Sequence, residues 1–183
     1  MQIIKTSIAG VNLVEGAPLV DTRGSFSRIY CEQKLCESIG SRRIVQINHS
    51  KTVAVGVVRG MHYQNPPHAE VKFIRCMKGS VWDVAVDLRA NSSTLLKWHA
   101  EKLTSENGRM LVIPEGCAHG FQSLEPNSEL LYLHTAFYTP EMEDGIAYND
   151  PRLKITWPLP VTDLSVRDKQ FSPIPSSFSG IQV

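Results

Sequence analysis

The sequence predicts an all-β chain of barrel or sandwich type, and three observations carry that expectation. Short runs rich in Val, Ile and Leu recur through the middle of the chain. Clusters of Gly, Pro, Asn and Asp interrupt them, and only one stretch has the apolar spacing of a helix. At 183 residues the chain is long enough for a sizeable core but short for two independent ones, so residues 1–183 are read as a single domain with a barrel core at about 44–137.

Strands are expected at residues 44–48, 53–59, 71–77, 80–88, 98–103, 109–113, 120–124 and 130–137. Lys78-Gly79 reads as a tight hairpin turn and Ser105-Glu106-Asn107-Gly108 as another, which implies that consecutive strands pair antiparallel. Glu32–Ile39 is the one expected helix, with Leu35 and Ile39 spaced i, i+4 and Gly40 placed to stop it. Beyond Trp157 proline and serine are frequent, so the tail should run over the surface, with residues 164–171 forming a docked turn.

Charge and cysteine usage narrow the function classes. Nineteen Lys and Arg balance eighteen Asp and Glu, so no net field draws in nucleic acid or an anionic membrane, and an anionic ligand must be met by local donors. No apolar run reaches the ~20 residues that span a bilayer, and the start lacks a signal-peptide core; a cytoplasmic protein is expected. Cys31, Cys36, Cys76 and Cys117 lack paired zinc spacing and read as reduced thiols.

Two stretches concentrate chemistry. Arg59-Gly60-Met61-His62-Tyr63-Gln64 closes a valine-rich run and is followed by Lys72, bringing a base, cations and an amide near one strand end. In residues 108–119, Gly108, Pro114, Gly116 and His119 fall at the spacing of the second cupin motif, where a Pro-x-Gly turn aims a histidine into a barrel mouth. Cupins are double-stranded β-helix barrels that often hold a metal there. The first cupin motif needs His-x-His, but the chain has His62-Tyr63-Gln64, so one imidazole is replaced by an amide. His62 and His119 alone make a poor metal site; adding Glu70 gives a two-histidine-one-carboxylate triad, the basis of an alternative reading as a metal-dependent cupin isomerase or oxygenase, although Lys72 opposes a cation there. A sugar-binding cupin without turnover is a third reading. Within the strand at 80–88, Asp83 and Asp87 share one face by period-two alternation; Asp83 either faces the pocket or satisfies a neighbouring arginine or backbone donor.

Several motifs in order resemble the dTDP-4-dehydrorhamnose 3,5-epimerases: Asp21-Thr22-Arg23-Gly24, Gln46-Ile47-Asn48-His49-Ser50, the run from Arg59 to Gln64, Asp83 to Arg89, Pro114 to Phe121, Tyr132, Asn149-Asp150-Pro151 and Leu164 to Asp168. The resemblance implies a homodimeric jelly-roll enzyme, needing neither metal nor organic cofactor, that inverts C3, C5 or both in a nucleotide-linked 4-keto-6-deoxysugar. The C4 ketone acidifies the flanking protons, so a base on one face and an acid on the other invert a carbon through an enolate. By resemblance His62 is the base, Asp168 its dyad carboxylate, Tyr132 the acid, Lys72 the cation at the C4 oxygen, and Asp83 a catalytic candidate. Arg23, Arg59 and His119 match positions that bind the nucleotide diphosphate or sugar; Gln46, Asn48, Glu143 and Arg167 match further binding positions, and Tyr138 a base-stacking one.

The resemblance also implies that the N-terminal strand is exchanged across the dimer, carrying Arg23 into the partner's site. His49, His68, His99 and His134 match no catalytic position and are expected in surface or packing roles. Arg28 stands where the rhamnose-pathway enzymes usually carry a nucleotide-binding glutamate, and the loop from Asn48 to Gly56 is one residue longer, which leaves the nucleotide open among dTDP, GDP and CDP.

Overall fold

A computed structural model describes residues 1–183 apart from the Glu37 side chain. In chain order it contains β1 (Gln2–Lys5), β2 (Asn12–Glu15), β3 (Leu19–Asp21), β4 (Gly24–Phe26), α1 (Glu32–Ile39), β5 (Gln46–Thr52), β6 (Val58–Gln64), β7 (Lys72–Lys78), β8 (Ser80–Asp87), β9 (Trp98–Thr104), β10 (Met110–Ile113), β11 (Cys117–Ser123), β12 (Ser128–His134) and β13 (Glu143–Gly145). Short 3₁₀ turns lie at Pro140–Met142 and Asp168–Gln170.

Two antiparallel sheets face one another. One has the order β1-β2-β10-β7-β12-β5, the other β13-β6-β11-β8-β9, and β3 pairs only with β4. The expected consecutive pairing therefore holds for β8 with β9 but not generally. Lys78-Gly79 carries the chain from β7 in one sheet to β8 in the other, and residues 105–108 return it from β9 to β10. Both are corners between sheets. A turn motif announces a reversal of direction, but the sheet each arm joins is set by the winding of the whole barrel.

Strand boundaries shift for local reasons. The β-branched run at 53–57 is not strand, because the chain turns at Gly56, whose φ is +80° and where a Cβ would lie 2.7 Å from the Pro160 carbonyl oxygen. Ser123 Oγ accepts from the Val57 N–H at 3.0 Å and donates to the Ala54 carbonyl at 2.8 Å. The strand starts at Val58, so His62 lies within β6 rather than beyond its end. The four N-terminal strands and β13 are three or four residues each, too short to show a period; β2 is ordered by pairing with β10, and β13 by pairing Glu143 with Gln64.

Alternation divides β7 between two cores. Ile74 and Cys76 point between the sheets and pack with Leu13, Val81, Leu103, Leu111, Phe121 and Leu130. Phe73 and Val71 point outward under α1, against Leu35, Ile39, Val112 and Leu133. Helix α1 thus covers the outer face of one sheet, as its i, i+4 apolar pair requires, and its C-terminus closes with the Gly40 N–H on the Cys36 carbonyl. The tail covers the other sheet's outer face with Leu153, Trp157 and Ile174. The turn expected near 164–171 is present at Asp168–Gln170.

Cysteine burial follows from this layering. Cys76 and Cys117 are buried and their thiols are pushed up to about 11 and about 12 by desolvation, whereas Cys36 is exposed. Alkylation of the native protein near pH 8 should label Cys36 first and reach Cys76 and Cys117 only after denaturation; equal labelling of all four cysteines in native buffer would contradict the packing. Peptide mass mapping after timed iodoacetamide exposure reads the outcome.

Candidate active site

The space between the sheets is apolar at one end and polar at the other. At the polar end is a cavity of about 550 Å³. His62 enters from β6 and Tyr132 from β12, so imidazole and phenol come from opposite walls.

The backbone at the foot of His62 is unusually close to its neighbour. Gly60 has φ +129°, and a Cβ there would sit 2.5 Å from Gly120 Cα; β11 carries an irregularity in its pairing with β6 between His119 and Phe121. That approach leaves the Gly60 N–H free to donate to Asp168 Oδ2 at 3.1 Å, while Asp168 Oδ1 meets His62 Nε2 at 2.8 Å. Asp168 is held in turn by its own N–H on Ser165 Oγ at 3.0 Å. Burial opposes ionisation of Asp168, but the His62 and Gly60 donors outweigh it and keep the carboxyl below its usual range. A proton on Nε2 shared with the carboxylate leaves Nδ1 as the basic nitrogen of His62. Arg167 Nη2 lies 3.2 Å from His62 Nε2, and Glu143 binds that guanidinium.

On the other wall Tyr132 is half-buried, packed against the apolar core, and desolvation raises its pKa, with Ser50 and Arg59 pulling the other way; the phenol is protonated at neutral pH. The His119 ring meets the Tyr132 ring edge-on, 6.0 Å between centroids. Lys72 Nζ donates to the His62 carbonyl at 3.3 Å and lies 3.3 Å from Glu70 Oε1.

The cavity thus gathers His62, Tyr132, Asp168, Lys72, Asn48, Arg59, His119, Tyr138, Glu143 and Arg167. Three candidates stand elsewhere. Asp83 is fully buried behind His119, with Oδ1 2.8 Å from His119 Nε2; it does not line the pocket, and its partner is the His119 imidazole rather than an arginine or a backbone donor, because both side chains point between the sheets from adjacent strands. Burial raises the Asp83 pKa, and His119 offsets this only in part. Gln46 spends its side-chain oxygen on the Tyr138 N–H at 3.0 Å, steadying the segment that bears Tyr138. Arg23 sits on the β3–β4 hairpin, bonded to Asp21 and outside the cavity.

Glu70 does not join His62 and His119 in a triad. Its Oε2 bonds His134 Nδ1 at 2.7 Å, and among the described residues no three His, Cys, Asp or Glu side chains gather as a metal-ligand group. Gln64, in place of the second imidazole, accepts from the Thr139 N–H at 2.7 Å and donates to the His68 carbonyl at 3.0 Å, clamping the loop beyond β12. His134, expected in packing, lines the cavity instead; its position two residues from Tyr132 on one strand is the period-two signal that marks it. Ser50, Phe121 and Ser165 also line the cavity; each lies within one of the ordered motifs, although the motifs assign it no role.

A carboxylate-held imidazole on one wall and a half-buried phenol on the other wall of a jelly-roll barrel are the equipment of an isomerase that moves protons. The chain belongs to the dTDP-4-dehydrorhamnose 3,5-epimerase family, whose model matches residues 5–175. It is 44% identical over 172 residues to the dTDP-4-dehydrorhamnose 3,5-epimerase of Pseudomonas aeruginosa, covering 93% of this chain and 94% of that one. It is 36% identical over 170 residues to a dTDP-4-dehydrorhamnose 3-epimerase of Streptomyces niveus, covering 92% and 82%. Its fold superimposes with a TM-score of 0.91, at 35% identity and with 100% and 98% coverage, on a dTDP-6-deoxy-D-glucose-3,5-epimerase of Legionella pneumophila in complex with dTDP-4-keto-L-rhamnose.

The carboxylates predict acid behaviour. Burial works against ionisation of Asp87, but bonds from Arg89, Ser92 and Thr94 hold it at about 2. Asp87 and Asp168 both have folded pKa values below the unfolded ~3.9, so their stabilisation is complete above ~4 and is lost as pH falls through the folded values. Urea unfolding across pH 7 to 2.5 should show that loss, and Asp87→Asn should flatten it; an unchanged slope in the variant would remove Asp87 from the account.

Proposed function

We propose that this chain inverts C3 and C5 of a dTDP-linked 4-keto-6-deoxysugar, with His62 and Tyr132 as the proton-transferring pair. The observation that carries the reading is the His62–Asp168 dyad on one wall opposite the Tyr132 hydroxyl on the other. The names of the relatives support dTDP over other nucleotides. In this reading Nδ1 of His62 takes the proton next to the C4 ketone, the electron pair moves to the C4 oxygen, and the Lys72 ammonium stabilises the enolate charge. Tyr132 returns a proton to the opposite face of the carbon. Its raised pKa keeps the phenol charged with a proton until a carbon base stronger than water is formed, and Arg59 is placed to favour the phenolate left behind. Asp83 acts through His119 as a positioning residue. These steps call on no metal or organic cofactor.

Binding falls to the rim. Arg59, His119 and Arg167 supply donors for the diphosphate and sugar, Asn48 and Glu143 complete the polar wall, and Gln46 steadies Tyr138, whose half-exposed ring offers a face to the base. Residues 1–183 act in this reading as one catalytic domain, in the cytoplasm. No helix among the described residues is long and apolar enough to cross a membrane.

The functional unit we propose is a homodimer. Leu19 and Val20 are each 73% exposed and Phe26 is 70% exposed, so the β3–β4 hairpin presents apolar surface that a second copy would cover, and Arg23 at its tip would then reach the partner's cavity.

Two outcomes test the reading. With dTDP-4-keto-6-deoxyglucose in deuterated water, NMR should show deuterium entering C3 and C5; His62→Ala should abolish exchange, and Tyr132→Phe should retain exchange while inversion falls by about 10²-fold or more. Exchange at C3 alone would make the chain a 3-epimerase, and no exchange at any ring carbon would end the proposal. In the second test, Arg23→Ala and His62→Ala proteins, each inactive alone, are unfolded together and refolded. The mixture should recover about a quarter of wild-type turnover, since half the dimers are mixed and each has one intact site. No recovery would place Arg23 in its own chain's site, and an Arg23→Ala protein active by itself would remove Arg23 from catalysis.

A further inference from the structure

Each of the three histidines lining the cavity has one ring nitrogen on its own carboxylate: His62 on Asp168, His119 on Asp83 and His134 on Glu70. The third pair has no part in the proton transfers above, yet it lies on the Tyr132 wall. His134 follows Tyr132 by two residues on β12, their rings are parallel within 9° at 6.0 Å, and β12 register places His134 opposite Lys72 on one side and Gln46 on the other. The pair is nearly dry: side-chain exposure is 7% for Glu70 and 10% for His134.

Both ends of this pair touch residues that face the substrate. Glu70 divides its oxygens, Oε2 to His134 Nδ1 at 2.7 Å and Oε1 to Lys72 Nζ at 3.3 Å. His134 Nε2 meets the side-chain nitrogen of Asn48 at 3.3 Å. A carboxylate can only accept, so the proton on the His134–Glu70 bond belongs to Nδ1, and a neutral ring then has a bare Nε2. A bare Nε2 accepts from an amide N–H and rejects an amide oxygen. The Asn48 carboxamide is therefore turned with its nitrogen toward His134, and its oxygen has no protein donor among the described residues.

We propose that His134 and Glu70 are positioning residues that set the hydrogen-bonding sense of Asn48. Glu70 selects the Nδ1–H tautomer of His134, His134 captures the Asn48 N–H, and the Asn48 oxygen is left to accept from a donor of the nucleotide sugar, a hydroxyl or an N–H. The same carboxylate restrains Lys72, so the cation and the acceptor share one anchor. Turning Asn48 over would present an N–H to that donor and cost binding on two counts, a lost bond and two donors opposed. This inference rests on the epimerase reading for its substrate, but its tautomer rests on the geometry alone.

The test has a part that needs no substrate. In protein with ¹⁵N-labelled histidine, two-dimensional NMR of the imidazoles should show His134 as the neutral Nδ1–H tautomer at pH 8, with the signal assigned by its loss in His134→Leu. A neutral Nε2–H tautomer or a doubly protonated ring would overturn the proposal even if the enzyme turns over. In turnover assays His134→Leu should raise KM about tenfold and keep kcat within about twofold. His134→Gln, whose amide can donate to Glu70 and accept from Asn48, should bring KM back to within about twofold of wild type. Asn48→Ala should raise KM in the wild-type background and add nothing in His134→Leu, as residues acting in series require. Additive effects, or a loss of kcat that His134→Gln does not rescue, would show that His134 does not work through Asn48. If the wild-type protein exchanges no ring proton while His134 is the Nδ1–H tautomer, the epimerase reading fails and the tautomer assignment stands.

Discussion

The barrel interior can hold imidazoles because each has its own carboxylate. An uncompensated charge or polar group between two sheets costs several kcal/mol, and removing one partner of a buried pair typically costs about 3–5 kcal/mol. His62, His119 and His134 meet that requirement separately, with Asp168, Asp83 and Glu70, and the three pairs come from different parts of the chain. Much else follows from these pairings. The tail must return so that Asp168 reaches β6, β8 must lie beside β11 so that Asp83 reaches His119, and the segment before β7 must pack on β12 so that Glu70 reaches His134.

These pairings also decide what each histidine can do. Fixing one ring nitrogen fixes the tautomer, and the tautomer determines whether the other nitrogen is a base or a donor. His62 is the most open of the three, its side chain 22% exposed against 7% for His119 and 10% for His134. Three similar dyads thus lie at graded depth, one at the cavity surface, where the proposed mechanism needs its base, and two set deeper in the walls. The same separation leaves Glu70 committed to His134 and Lys72, away from any ligand set with His62 and His119.

The division of the barrel into apolar and polar ends comes from the strands that cross it. On β12 the inward residues run from Leu130 in the core to Tyr132 and His134 in the cavity, and on β7 they run from Cys76 and Ile74 to Lys72. The apolar half gives these strands the burial that holds them, so the reactive half rests on rigid elements. The β3–β4 hairpin alone stands apart from this support, with its apolar side chains in solvent.

Periodicity and turn chemistry in the sequence determined the fold class, α1 to the residue, and the approximate place of seven of the eight expected strands, because these are local properties of the chain. Ordered motifs brought out ten of the residues that gather at the cavity. What only the tertiary structure decided is partnership. Which sheet follows the turn at Gly79, which donor Asp83 serves, that Gln46 braces Tyr138, and that His134 is a cavity wall with Glu70 behind it are all contacts between residues far apart in sequence. No local pattern encodes them, since a side chain's hydrogen-bonding role is fixed by the groups that the closed barrel brings within about 3 Å of it.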